Sequence, residues 1–296
     1  MTTILTKILP VVLVLIIGAV CRKRGFFNEN NTQTLKDVAV NITLPFVLLS
    51  AFGTTHFSAA NMLIPSISFL ACIVALLLGF VLFKLMKMQG KVMPYLTSGF
   101  EAGMLGYALF AILRNGNNLS DFALIDLGQV AFVFTIYRIL ISNNRNAKDI
   151  IINITNSPVI WGMVAGILLS VSGMYAKLSN YIDSISNFVS APTGTIILLC
   201  IGSDLMSQKV NLRKALAPVV LRIAVLSIVF ALVYYTDMLL GIGINHQALL
   251  LMFALPAPFV LPIFATAANE RADVASALSI QTIITLIIFG LMAINI

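Results

Sequence analysis

One pattern constrains this chain more than any other: long apolar stretches alternate with short polar connections from one end to the other. The stretches lie near Ile4–Cys21, Leu35–Phe52, Met62–Leu85, Pro94–Leu113, Phe122–Ile141, Pro158–Tyr175, Ile185–Leu205, Ala215–Leu240, Ala248–Ala268 and Ala272–Ile294. A helix needs roughly 20 apolar residues to cross a hydrocarbon core of about 30 Å. The pattern therefore predicts an all-α membrane protein of ten transmembrane helices. Composition agrees: 59% of the 296 residues are hydrophobic and 10% charged, leaving no room for a separate soluble domain. Lys7 followed by an apolar run resembles a signal peptide, but no Ala-x-Ala site follows. The expectation is a retained first helix.

The basic residues set an expected orientation. With the N-terminus outside, the cytoplasmic connections hold Arg22, Lys23, Arg24, Lys84, Lys87, Lys91, Arg145, Lys148, Lys209, Arg213, Lys214 and Arg271. The other side holds only Lys7, Arg114 and Lys177, so the positive-inside rule places both termini outside a cell membrane. The net charge of +7 is thus read as orientation, and no nucleic acid partner is expected. Cys21, Cys72 and Cys200 are scattered in apolar stretches and read as small hydrophobes. His56 and His246 lie far apart, so no metal or cofactor is expected.

Ten helices divide at the polar stretch Asn143–Asn156 into a first five-helix repeat (1–142), a cytoplasmic linker (143–157) and a second five-helix repeat (158–296). An odd number per half makes the halves antiparallel, the inverted-repeat plan of secondary transporters. Pro10 and Pro158, and likewise Pro65 and Pro218, mark similar places in the two halves.

Helix breakers gather in the fourth and ninth spans. The fourth reads Gly99-Phe100-Glu101-Ala102-Gly103-Met104-Leu105-Gly106-Tyr107, and the ninth Leu255-Pro256-Ala257-Pro258-Phe259-Val260-Leu261-Pro262. Each proline removes a backbone donor and clashes with the turn before it. Unwound backbone at membrane depth is tolerated only where protein or a water-filled cavity satisfies it. Breaks are expected near Gly103–Gly106 and across Pro256–Pro262, crossing between the halves. Glycines alone fit close helix packing equally well, but Glu101 is an acid inside a span and a functional candidate by default.

Several motifs resemble those of the auxin efflux carrier family. They are Lys23-Arg24-Gly25-Phe26-Phe27 after the first span, Asn41-Ile42-Thr43-Leu44-Pro45 in the second, Pro192-Thr193-Gly194 through Gly202-Ser203-Asp204-Leu205 in the seventh, and the glycine-rich fourth. The resemblance implies ten-helix transporters of sodium/proton-antiporter-like fold, whose bacterial members carry organic acids such as malate or malonate. It also implies broken, crossing fourth and ninth helices and a scaffold part that dimerises. Against the family pattern Asn-x-Gly-x-x-Gly-x-Pro, Gly103 and Gly106 match, whereas Glu101 replaces the Asn and Ala108 the Pro. A carboxylate there repels an anionic substrate unless it is protonated, paired or bound to a cation.

The expected substrate-binding residues are Glu101, Gly103, Met104, Gly106, Tyr107, Asn41, Thr43, Thr193, Thr195, Pro256, Ala257 and Pro258. Coupling or support falls to Glu101, Asp126, Asp204, Arg222 and Gln281. Asp126 and Gln129, one turn apart, are open to pairing with a base. Arg222 is long enough to snorkel to the interface, or alternatively to pair with Glu101. Asp204, near a helix end, reads equally as solvated. The expected function is a secondary carrier of a small organic acid anion, with Glu101's charge state controlling transport in a proton-linked cycle. Alternatives are a carrier of a cationic or neutral molecule, or a sensor using the same fold. Neither a phosphate-binding loop nor a His-Glu-x-x-His or Ser-His pattern is present, which argues against an ATP-driven pump and an intramembrane protease.

Overall fold

The computed structural model describes residues 2–58, 60–141, 155–207, 210–265 and 267–294, with side chains from Thr6 onward. Most of the expected linker, including Arg145 and Lys148, lies outside the described residues, as does Lys209. Every described element is helical. They are α1 (Thr2–Lys23), α2 (Glu29–Gly53), α3 (Leu63–Leu85), α4 (Tyr107–Arg114), α5 (Leu119–Ile141), α6 (Pro158–Val171), α7 (Met174–Ser190), α8 (Thr193–Ser207), α9 (Leu212–Leu240), α10 (His246–Ala254), α11 (Leu261–Phe264) and α12 (Ala268–Ile294).

Among the described residues, seven helical stretches are long and apolar enough to cross a bilayer, including Met93–Arg114, which contains α4, and Met174–Ser207, which joins α7 to α8. The second and seventh expected spans start earlier in the structure than the apolar runs suggest. Asn28 caps α2 through a reciprocal bond with Asn31, so the helix begins in polar sequence. Large apolar side chains face outward throughout, including Leu85 at 71%, Phe188 at 84% and Leu239 at 85% exposure. Such a surface suits lipid, not water.

Within α2 the turn Ala39–Thr43 is π-helical. Pro45 has no N–H to return to the preceding turn, and Leu44 N–H reaches back to Ala39 O. The Thr43 hydroxyl also donates to Ala39 O, at 3.2 Å.

The helices pack as two sets. α1 lies along α8, while α2 lies along α6 and α7. In the other set α3 packs on α5, α9 on α12 and α3, and α10 on α5 and α12. Glycines make the contacts within each set intimate. A Cβ at Gly18 would sit 2.2 Å from Leu199 O, and one at Gly202 would sit 2.1 Å from Leu15 O. Gly162 meets Pro45 O at 2.3 Å and, in the second set, Gly128 meets Pro65 O at 2.0 Å. Small residues of this kind let backbones touch where lipid supplies no hydrophobic drive.

Between the sets the contacts are looser. A Cβ at Gly103 would meet Leu44 at 3.4 Å, one at Gly194 Ala108 at 3.7 Å, and one at Gly290 Ile8 at 3.9 Å. Gly18→Leu and Gly202→Leu should therefore each destabilise the protein by about 3 kcal/mol or more, the upper end of overpacking costs. Gly290→Ala, which meets no close neighbour inside α12, should instead stabilise the protein by up to about 1 kcal/mol through helix propensity. Thermal unfolding in detergent measures both.

Candidate functional site

Two interruptions meet in the middle of the second set. The first follows a buried 3₁₀ turn, Met93–Thr97, and runs through Ser98, Gly99, Phe100 and Glu101. Gly99 has φ +71, which a side chain would resist. The chain then enters a π turn, Ala102–Gly106, that leads into α4. The break thus precedes Gly103–Gly106, where the sequence suggested it. The glycines form the wide first turn of the resumed helix, and Gly106 presses against Phe122 and Leu255.

The second interruption begins where α10 ends at Ala254 and lasts through Val260. Pro256 and Pro258 lie within it, whereas Pro262 occupies the first turn of α11, where a missing N–H costs nothing. Residues 92–100 and 255–258 are buried, so the unwound backbone is enclosed in protein.

Several freed backbone groups at the crossing have specific partners. Glu101 N–H donates to Pro256 O at 2.9 Å, tying one break to the other. Arg222 is 2% exposed, so it does not snorkel to the interface, and it does not pair with Glu101. Its guanidinium donates to Leu96 O at 2.6 Å, Gly99 O at 3.0 Å and Leu255 O at 2.8 Å, and it lies 5.5 Å from the Phe100 ring. These carbonyls end the helical segments that enter the crossing. A cation at helix C-termini is favourable, and a planar fork can serve several acceptors at once.

Glu101 does the complementary work. One carboxylate oxygen accepts the Phe259 N–H at 2.7 Å, and the other accepts Met104 N–H at 3.4 Å. Those donors open the segments that leave the crossing. Positive dipole ends of this kind suit an anion, and here they are occupied by the chain's own carboxylate. Glu101, Gly103 and Met104 keep partial exposure.

Two glutamines bind further backbone groups. Gln129 Nε2 donates to Phe100 O at 2.6 Å, and Gln281 Oε1 accepts from Ala257 N at 2.9 Å. Ser98 and Thr285 add hydroxyl bonds to Cys72 O and Ala254 O. Sequence gives no signal for these hydroxyls, which resemble any Ser or Thr in an apolar span. Asp126 takes a neutral partner instead of a base: its Oδ2 accepts the Tyr107 hydroxyl at 3.0 Å.

Two cavities flank the crossing from opposite ends of the bundle. One of about 560 Å³ lies at the basic end, beside Arg22, Glu29 and Lys36, and reaches Phe259, Pro262 and Thr282. Asp204 lines it and is ion-paired to Lys36 at 2.6 Å instead of standing free in solvent. The other, of about 480 Å³, is lined by Pro10, Ser50, Asn187 and Thr195 and reaches Tyr107. Buried Thr193 also lines it and donates to the Thr43 hydroxyl at 2.7 Å, joining α8 to the π turn of α2. Asn41 is exposed and lines neither cavity.

Arg222→Met should cost about 3–5 kcal/mol, since three buried carbonyls lose a charged donor at roughly 1–3 kcal/mol each. Lys214→Met, which breaks a mostly exposed ion pair with Asp273, should cost under about 1 kcal/mol. Thermal unfolding of the two variants in the same detergent makes the comparison.

A comparison with curated proteins found no match. The membrane transport protein family, by contrast, matches residues 3–154, half of the chain, from α1 through the first break to beyond α5. With its apolar exterior, its enclosed crossing and this match, the chain is a multi-pass membrane protein belonging to the auxin efflux carrier-like membrane transport protein family.

Proposed function

We propose that this protein is a secondary carrier of a small organic acid anion that works by alternating access. The observation that carries the reading is the pair of cavities approaching one crossing from opposite ends, along the seam between the two helix sets. Both volumes fall in the range of small-molecule sites, roughly 300–1,000 Å³. Each cavity draws its lining from both sets, so sliding one set along the other would widen one mouth and narrow the other.

The glycine contacts favour such movement. Within a set, glycines bring backbones to distances that no Cβ tolerates, whereas at the seam Gly103, Gly194 and Gly290 leave ordinary contact distances. Rigid bodies with a loose, smooth seam between them are what domain motion requires.

A ten-span inverted repeat fits the packing. Counting 93–114, 174–207 and 246–264 as the fourth, seventh and ninth spans, the first packs on the seventh and the sixth on the second. The third packs on the fifth, and the eighth on the tenth. Adding five to both members of a couple, counted cyclically over ten, turns the first–seventh couple into the sixth–second and the third–fifth into the eighth–tenth. The asymmetry of basic residues supports a cytoplasmic face at the end holding Arg22 and Lys36.

The substrate class rests on the family likeness and is refined by the crossing. Because Glu101 fills the half-helix N-termini, an anion would bind in a cavity beside the crossing. Polar groups at hand include Thr193, Thr195 and Tyr107 on one side, and Lys36 on the other. A sensor would bind the same molecules without moving them.

Proteoliposomes tested with radiolabelled small mono- and dicarboxylates should show saturable uptake; binding without uptake would make the protein a sensor. Movement can be tested separately. In a background lacking Cys21, Cys72 and Cys200, Ala108→Cys with Gly194→Cys places Cβ atoms about 3.7 Å apart, matching the disulfide mean of roughly 3.8 Å. Oxidation should abolish uptake and reductant should restore it. Undiminished uptake by the cross-linked protein would refute motion along this seam.

A further inference from the structure

Most polar groups at the crossing are satisfied; Gln281 Nε2 is one exception, and two others lie together on α5. Asp126 is 3% exposed and Gln129 is 4% exposed, three residues apart on α5. Asp126 Oδ1 and Gln129 Oε1 have no hydrogen-bond partner among the described residues. The amide orientation is fixed, because Gln129 Nε2 must face Phe100 O. Two orphan acceptors therefore lie one turn apart on the same helix face, and each would cost about 1–3 kcal/mol if left bare.

Charge points the same way. The crossing contains Arg222 as its cation and two acids, Glu101 and Asp126. The titratable groups that act on Asp126, or that it acts on, from neighbouring elements are Tyr107, Glu101 and Cys72; Arg222 lies beyond, on its three carbonyls. With both acids ionised, the enclosed site would carry one uncompensated negative charge, which burial penalises heavily. Both Glu101 oxygens already accept backbone N–H groups, which favour its charged form. Asp126 has a vacant oxygen, one helical turn from an acceptor that needs a donor.

We propose that Asp126 holds the exchangeable proton of the crossing, bound on Oδ1 and donated to Gln129 Oε1. One proton turns Oδ1 into a donor, satisfies Gln129 and removes the excess charge. Oδ2 continues to accept the Tyr107 hydroxyl, and Tyr107 lines the 480 Å³ cavity, which gives the proton a short route to that mouth. The proposal assigns to Asp126 the proton-carrying role that the sequence suggested for Glu101. Its use in coupling rests on the carrier reading, whereas the location of the proton does not.

Infrared spectroscopy of the purified full-length protein at neutral pH reads the proton directly, without a substrate. Wild type should show the carbonyl stretch of a buried protonated carboxyl, shifted by carbon-13 labelling of aspartate. Asp126→Asn should lose the band, because its amide can replace the proton by donating to Gln129, while Glu101→Gln should retain it. Should Asp126→Asn fail to fold, the aspartate-labelled wild type still gives the answer. No protonated band, or a band insensitive to aspartate labelling, would overturn the proposal and leave a bridging water in the gap. Stabilisation of wild type but not Asp126→Asn by sodium over choline would equally overturn it, in favour of a metal cation.

Discussion

Backbone that leaves helical geometry inside a bilayer must find hydrogen-bond partners, and the whole site depends on how this chain supplies them. Two segments are unwound side by side, and side chains carrying opposite charges hold them. Arg222 gathers the carbonyl ends entering the crossing, and Glu101 gathers the N–H ends leaving it. The assignment follows the sign of each helix dipole. Gln129 and Gln281, from α5 and α12, secure one further backbone group in each break. The result is a rigid irregular centre where a continuous helix would offer neither a cavity nor a mobile boundary.

Rigidity at the centre and looseness at the seam are complementary. Gly106 packs tightly against Phe122 and Leu255 within its own set, while Gly103, one turn earlier, only touches Leu44 across the seam. The same short motif thus serves both requirements. The Thr43–Thr193 bond, at 2.7 Å, lies inside the other set and stiffens the π turn beside the boundary. In the proposed carrier, substrate and proton occupy different places: the cavities for one, the Asp126–Gln129 gap for the other.

Much of this was legible in the sequence, because the chemistry involved is local. Pro256 and Pro258, two residues apart, remove two donors from one turn and break the helix, whereas the single Pro10 and Pro218 are carried inside α1 and α9; the apolar stretches report their length directly. The polar start of α2 was hidden, since capping by Asn28 extends the helix beyond its apolar run. Arg222 was misread for a different reason. Ten residues into α9 it resembles a snorkelling side chain, and its acceptors come from positions 96, 99 and 255. Glu101 was singled out correctly as unusual, but its hydrogen bond to Phe259, 158 residues away, gives it a supporting role that no local pattern reveals.

The central claim is that two internally rigid helix sets move against each other. Distance measurements between spin labels in proteoliposomes test it most directly. One label at Phe188 and another at Leu239 report across the seam; both side chains are more than 80% exposed. A pair at Phe188 and Trp161 reports within one set. On addition of a transported carboxylate, the account predicts a changed distance distribution for the first pair and an unchanged one for the second. A fixed seam distance in a protein that demonstrably transports, or equal changes in both pairs, would contradict it.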